Sequence, residues 1–324
     1  MFRDHGVAKL CRDGTLAAAI GSFPMNQHTD LTRPPFSSSE TIHRPAEERS
    51  VDSASRLSAR LIYEVVRRDG EEELNRPAVS LIWSGLAAGI LISLSVIAQA
   101  VLKAYLPEAG WAVLVESLGY SLGFIVVIYG RMQLFTENTI TTVMPVVAQR
   151  SATCLRKMLR LWAIVLAANV VGAIVASGFL LLPGVLPPEL TESLLAVARH
   201  AVEGTAGGNF VRAMPAGVLI AALVWIMPGA RGESLLIVLA MTWLLAAAGF
   251  AHVIAGSVEA GLLVWHGDMP VHHALFGFFL PVLAGNVVGG TAIFTLVTWG
   301  QVKNEVAQAD EDQLDDGRRN ARKT

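Results

Sequence analysis

Long unbroken apolar runs alternate with short polar ones along the chain, a pattern that predicts membrane-spanning helices rather than a soluble core. The runs fall at roughly 79 to 102, 111 to 147, 159 to 182, 213 to 227, 234 to 265 and 272 to 299. A helix needs about 20 residues to cross the hydrocarbon of a bilayer, so six crossings are expected. The second and fifth runs are too long for one straight span, and each carries an interruption, near Leu134 and near Phe250. In the second, "RMQLFTENT" sets Arg131, Gln133, Thr136, Glu137, Asn138 and Thr139 together in an otherwise apolar stretch. Backbone freed from a helix in hydrocarbon costs several kcal/mol unless it is buried in protein or lines a cavity. Each break is therefore predicted to line a pathway.

The two halves of the chain echo each other. In the first, Gly123-Phe124 leads to the break around Thr136, and "ANVVG" follows at 168 to 172. In the second, Gly249-Phe250 leads to the break around His252, and "GNVVGG" follows at 285 to 290. Asn169 follows Thr136 at nearly the distance by which Asn286 follows His252. Three crossings per half make the halves run in opposite directions, and inverted repeats with a broken helix in each mark a transport site near the bilayer midplane. The expected fold is an all-α membrane protein of six transmembrane helices in an inverted 3+3 repeat, with the second and fifth helices broken.

Composition sharpens this. Of 324 residues, 53% are hydrophobic and only 16% charged, and the mean hydropathy of +0.49 exceeds that of ordinary soluble domains. The polar residues gather in the first 75 positions and the last 25 or so, so the net charge of -2 says little about partners. Residues 1 to 52 read as a disordered tail, with a start at Met25 as an alternative. Residues 53 to 75 read as an amphipathic helix with Leu57, Leu61, Ile62 and Val65 on one face, lying on the membrane or capping the bundle. Residues 76 to 300 form the transmembrane domain, and 301 to 324 a charged tail. Arg150, Arg156, Lys157 and Arg160 after the second span, with Lys303, Arg318, Arg319, Arg322 and Lys323 at the end, place both termini in the cytoplasm. Cys11 and Cys154 have no metal-ligand spacing and suggest neither a disulfide nor a ligand pair.

"QLFTENTITTV" and "GFAHVIAGSVEA", with "ANVVGA" and "GNVVGG" in order, resemble the formate/nitrite transporter family over about 75 to 300. That resemblance implies a homopentamer of six-helix, aquaporin-like protomers in a bacterial inner membrane. Each protomer has its own pore for a small monovalent anion or its conjugate acid, often with a proton.

The candidate residues follow. An ionisable group in an otherwise apolar helix is a functional hypothesis by default, and the resemblance makes His252 the central pore histidine; the plainer alternative is a neutral histidine satisfied by a neighbouring helix. An imidazole of reference pKa near 6.5 could hydrogen-bond an anion or hand it a proton. Thr136 resembles the loop threonine that bonds this histidine. Leu134 and Phe135 resemble a hydrophobic constriction and Leu245 a second gate, with core packing as the alternative. Asn169 and Asn286 are expected to tie the broken helices together, with Asn138 in a supporting place. Arg131 and Glu137 are expected to form a buried ion pair across the break, since a lone Arg there would be costly, with direct attraction of an anion by Arg131 as the alternative.

The chain also departs from the family. Ala251 stands where Glu is common before the histidine, Gly217 where the fourth helix carries Asn, and Ala201 where an anion-attracting Lys falls, beside His200. No His-Glu-x-x-His zinc motif and no Walker motif is present. No enzymatic activity, cofactor, metal or nucleic-acid partner is expected, and the basic tails suit anionic membrane lipid. A non-conducting scaffold or sensor, or a water or neutral-solute channel, remains as an alternative on the same fold.

Overall fold

The structure, a computed structural model, describes residues 57 to 230 and 232 to 321, with side chains followed through residue 308. The disordered-tail reading of residues 1 to 52 lies outside these. All regular structure among the described residues is helical. Helix α1 (Ala59–Leu74) precedes α2 (Ala78–Tyr105) and α3 (Ala112–Tyr129). Two short helices follow, α4 (Phe135–Thr141) and α5 (Val143–Gln149). Next come α6 (Ala152–Leu180), α7 (Pro188–Val202) and α8 (Ala206–Gly229). Helices α9 (Ser234–Ala247) and α10 (Val253–His266) lead to α11 (Val271–Gln308), which continues helical to Ala321.

The chain passes through the bundle six times: α2, α3 with α4 and α5, α6, α8, α9 with α10, and α11. The second and fifth passes are broken. The breaks are the segments 130 to 134 and 248 to 252, where helical pairing stops and restarts. Large apolar side chains such as Trp83, Leu236, Phe276 and Val297 stand exposed on the outer surface, as lipid-facing side chains do. Small residues let the spans approach closely. A Cβ on Gly89 would overlap the Asn169 carbonyl, and one on Gly217 would overlap the Asn286 carbonyl. Only glycine fits at Gly217, which explains why no Asn occupies that position.

The halves repeat bond for bond. Asn169 Oδ1 accepts from the Phe135 amide at 2.9 Å, and Asn286 Oδ1 accepts from the Val253 amide at 2.8 Å. Asn169 Nδ2 donates to Gly85 O and Gln133 O, both at 2.8 Å. Asn286 Nδ2 donates to Ala213 O at 2.8 Å and Ala251 O at 2.9 Å. These pairs set the true register of the repeat: Leu134 matches His252, and Phe135 matches Val253. The sequence pattern paired Thr136 with His252, two positions off, because side-chain motifs do not reveal which backbone amide is capped.

Helix α1 begins at Ser58, whose hydroxyl accepts from the Leu61 amide at 3.3 Å. It lies against the bundle with Tyr63, Val66, Gly70 and Leu74 buried, while Leu57, Leu61 and Val65 are exposed. Of the apolar face read from the sequence, Ile62 packs against the bundle, but the buried stripe itself is centred on Tyr63 and Val66. Tyr63 meets the Trp299 ring at 5.3 Å, and Gly70 lies where any Cβ would overlap the Thr141 carbonyl. Arg67 donates to Glu64 at 2.9 and 2.8 Å. That hydrogen bond holds the Glu64 carboxyl down at about 2, against a smaller opposing effect of burial.

Candidate functional site

The two breaks are local consequences of sequence. Arg131 and Gly249 turn the chain with left-handed backbone, φ 54° and 66°. The chain restarts as helix one step after Leu134 and His252, both in extended conformation. A restarted helix leaves its first amides without carbonyl partners. Asn169 and Asn286 supply one partner each from the following span, and His252 supplies another, its Nδ1 accepting from the Ala255 amide at 3.3 Å.

That last bond fixes the imidazole. With Nδ1 an acceptor, the neutral ring carries its proton on Nε2, which lies 2.7 Å from Thr136 Oγ1. Thr136 therefore accepts, and its own hydroxyl proton is free for a third partner. Both residues are buried, at 1% and 2% exposure. The Phe124 ring stands edge-on to the imidazole, centroids 5.0 Å apart at 76°. One hydrogen bond between two side chains thus joins the two breaks at the centre of the bundle.

Cavities approach this bond from opposite ends. One, of about 780 Å³, opens beside α7 and reaches His252, with Phe250, Tyr120, Arg212 and Glu259 in its wall. The other, of about 740 Å³, opens beside α1 and reaches Leu134, with Asp69, Glu73, Arg131 and Glu137 in its wall. A polar chain ties the first break to α1. Asn138 Nδ2 donates to Gln133 Oε1 at 3.2 Å, Gln133 Nε2 to Glu73 Oε2 at 2.8 Å, and Arg76 pairs with Glu73 at 3.0 Å.

The remaining sequence candidates are placed as follows. Phe135 is buried with its ring edge-on to Trp162 at 5.4 Å, and Leu245 is buried at 0% exposure. Neither lines either cavity. The expected Arg131–Glu137 ion pair is absent among the described residues. Arg131 is exposed on its turn, while Glu137 lies in the first turn of α4 with Oε1 buried and without a hydrogen-bond partner. Both side chains border the α1-end cavity, but the turn at Arg131 leaves them without a direct ion pair. In the α1-end cavity burial pushes the Asp69 carboxyl up, and the Arg131 charge offsets part of that push.

Three cavity residues were missed. Glu259 and Arg212 are charged groups inside apolar spans, a signal the sequence did contain. Tyr120 carries no such mark. Arg212 Nη2 donates to Ala201 O at 2.6 Å, to Glu203 O at 2.8 Å and to Asn209 Oδ1 at 2.8 Å. A cation is thus held against Ala201, the position where the resemblance places a lysine.

Six passes with two capped breaks, meeting through one hydrogen bond between two cavities, define a transmembrane transporter. The model of the formate/nitrite transporter family matches residues 60–300, and the chain belongs to that family. It is 37% identical to the inner membrane protein YfdC of Escherichia coli (strain K12) over 250 residues, 77% of this chain and 80% of that one. It is 25% identical to the formate channel FocA of Haemophilus influenzae over 241 residues, 66% of this chain and 84% of that one. Among solved structures, a pentameric formate channel with formate bound superposes with a TM-score of 0.59 at 20% identity, covering 70% of this chain and 97% of that one. A formate/nitrite transporter family ion channel gives 0.63 at 19%, covering 74% and 96%. At that identity the likeness establishes the fold, the aquaporin-like one that the sequence resemblance implied.

Proposed function

We propose that this chain is a channel or proton-coupled transporter for a small monovalent anion or its conjugate acid, with one pore in each protomer of a homopentamer. The observation that carries the reading is the buried bond between Thr136 Oγ1 and His252 Nε2, set between two cavities. A bare anion crossing a constriction walled by Phe124 and Leu134 meets a severe desolvation barrier, whereas the protonated acid meets a small one. The free Thr136 hydroxyl can donate to a solute oxygen, and the imidazole can exchange its Nε2 proton. The membrane is a bacterial inner membrane with α1 and the C-terminal helix on the cytoplasmic side. Arg150, Arg156 and Arg160 support that orientation together with Lys157, which donates to Asn75 at the end of α1 at 2.7 Å. Lipid and the neighbouring protomers together cover the exposed apolar surface.

The test is flux of formate, nitrite, acetate, lactate and chloride into liposomes at about pH 5 and about pH 7.5, either side of the imidazole range. The wild type is run beside His252→Phe. Acid-stimulated flux lost in the variant, with assembly intact, is expected. An assembled wild type that carries none of these solutes overturns the reading in favour of a non-conducting scaffold or sensor, and flux indifferent to the variant overturns the role of His252.

A further inference from the structure

The α7-end cavity contains a second polar station that the Thr136–His252 bond does not use. Glu259 lies two helical turns beyond His252 on α10, about 10 Å along the axis, and lines the same cavity. It is 5% exposed, as is Tyr120 across the cavity on α3. Among the described residues, neither the Glu259 carboxyl nor the Tyr120 hydroxyl has a hydrogen-bond partner. Both instead border the cavity. An unpaired charge at such depth is expensive, so a carboxyl left there without a partner is a place where a ligand or a proton belongs.

Arg212 completes the station. Its Nε and Nη2 are used on Asn209 and on the carbonyls of Ala201 and Glu203. Its Nη1 has no partner among the described residues, it lines the same cavity, and its charge acts on Glu259. The other elements around Glu259 present fewer charges. Helix α6 brings Ser177 against α10 at Gly261, and α11 brings Phe278 at Gly256. Further out, Lys103 on α2 pairs with Glu116 on α3 at 3.4 Å, and His200 in the last turn of α7 lies 3.8 Å from Glu203 just after it. Glu192 and Arg199 stand at the mouth, Arg199 already paired with Asp268 at 2.7 Å. Within the cavity's inner part, one cation, one carboxyl and one phenol converge with His252.

We propose that Glu259 is the proton-donating residue for the permeating solute: an anion held at Arg212 Nη1 takes the proton of the Glu259 carboxyl before it reaches His252. The proposal rests on the transport reading above and names its substrate class, the short monocarboxylates. In the step, the O–H bond of the Glu259 carboxyl breaks and the O–H bond of the carboxylic acid forms. The new Glu259 carboxylate faces Arg212, so its charge is never left without an opposite one, and the neutral acid moves on towards Thr136. A hydronium from the cavity water restores the Glu259 proton. Anions of strong acids such as chloride cannot hold a proton offered by a carboxyl, and are excluded at this station.

The test uses purified full-length protein in liposomes, as wild type, Glu259→Gln and Glu259→Asp, with acetate, formate and chloride as probes. Gln keeps size and polarity but has no proton to give; Asp keeps the proton on a shorter arm. Acid-stimulated acetate and formate flux is expected to fall at least about tenfold in Glu259→Gln and to be partly retained in Glu259→Asp, with chloride carried by none. Infrared spectra supply a readout free of transport. A carboxylic-acid C=O band is expected in the wild type, displaced by acetate and missing in Glu259→Gln. Wild-type flux with an unchanged pH profile in Glu259→Gln, or a Glu259 band that ignores acetate, overturns the proposal and leaves the transport reading standing. A wild type that carries no probe overturns both. If Glu259→Gln fails to assemble, the Glu259→Asp flux and the wild-type acetate-dependent band decide, and an insensitive band rejects the station.

Discussion

Arg131 and Gly249 occupy the same backbone position in the two halves of the chain, at φ 54° and 66°. The residues after them make matching bonds, Met132 to the Val127 carbonyl and Phe250 to the Leu245 carbonyl, both at 3.0 Å. Glycine adopts this conformation freely, whereas a residue with a Cβ gives up about 1 kcal/mol. Arg131→Gly is therefore expected to stabilise the folded protein by about 1 kcal/mol, read as a higher melting temperature in detergent. A lower one would mean that the attraction between Arg131 and Asp69 outweighs the backbone strain.

Asn169→Ala and Asn286→Ala are expected to destabilise by similar amounts. Each removes one acceptor and two donors from buried backbone groups. Leaving such groups unpaired costs about 1–3 kcal/mol apiece, so each variant should lose at least about 3 kcal/mol. Melting of both variants against wild type checks this; a large loss in one and none in the other would contradict the matched roles.

Glu137→Met is expected to raise the melting temperature, because it removes a carboxylate oxygen that is buried without a partner. The gain is about 1–2 kcal/mol, the cost of one unsatisfied buried group. The ion pair expected from the sequence would give the opposite sign. Thr136→Val serves as the contrast, since it loses the bond to His252 Nε2 and should melt lower.

Acid should loosen α1. The Glu64 carboxyl sits at about 2 in the folded protein against an ordinary 4.5. A carboxylate held below its unfolded value stabilises fully above about 4.5, and that stabilisation is lost as pH falls through about 2. Glu64 is partly exposed, so the contribution is about 0.5 kcal/mol after solvent screening. Limited proteolysis within α1 is expected to speed up across that window in the wild type and to speed up less in Glu64→Gln, whose helix keeps the Glu71 and Glu73 pairs; an equal acid dependence for both would remove the assigned role.

The spans and their two breaks were legible because hydrophobic length is a property of sequence alone. The meeting of Thr136 and His252 came through resemblance, not through periodicity. What stayed hidden depended on three-dimensional neighbours. The Leu134–His252 register rests on which amide Asn169 and Asn286 cap. The packed face of α1 rests on Trp299, far along the chain. Phe124 shows no sequence mark of its contact with the imidazole. Glu259 was different: a carboxylate inside "GSVEAGLL" was visible, but the nearby histidine drew the reading.

The asparagine caps also constrain how the molecule is made. The amide that opens α4 waits for Asn169, and the amide that opens α10 waits for Asn286. Neither half-helix can close its first turn when its own residues enter the bilayer. Each is completed only when the span behind it arrives, and the bond between Thr136 and His252 needs both. The centre where the two breaks meet is therefore complete only once the span that carries Asn286 has joined the bundle, so the third and sixth passes are needed to build a site whose cavities neither asparagine lines.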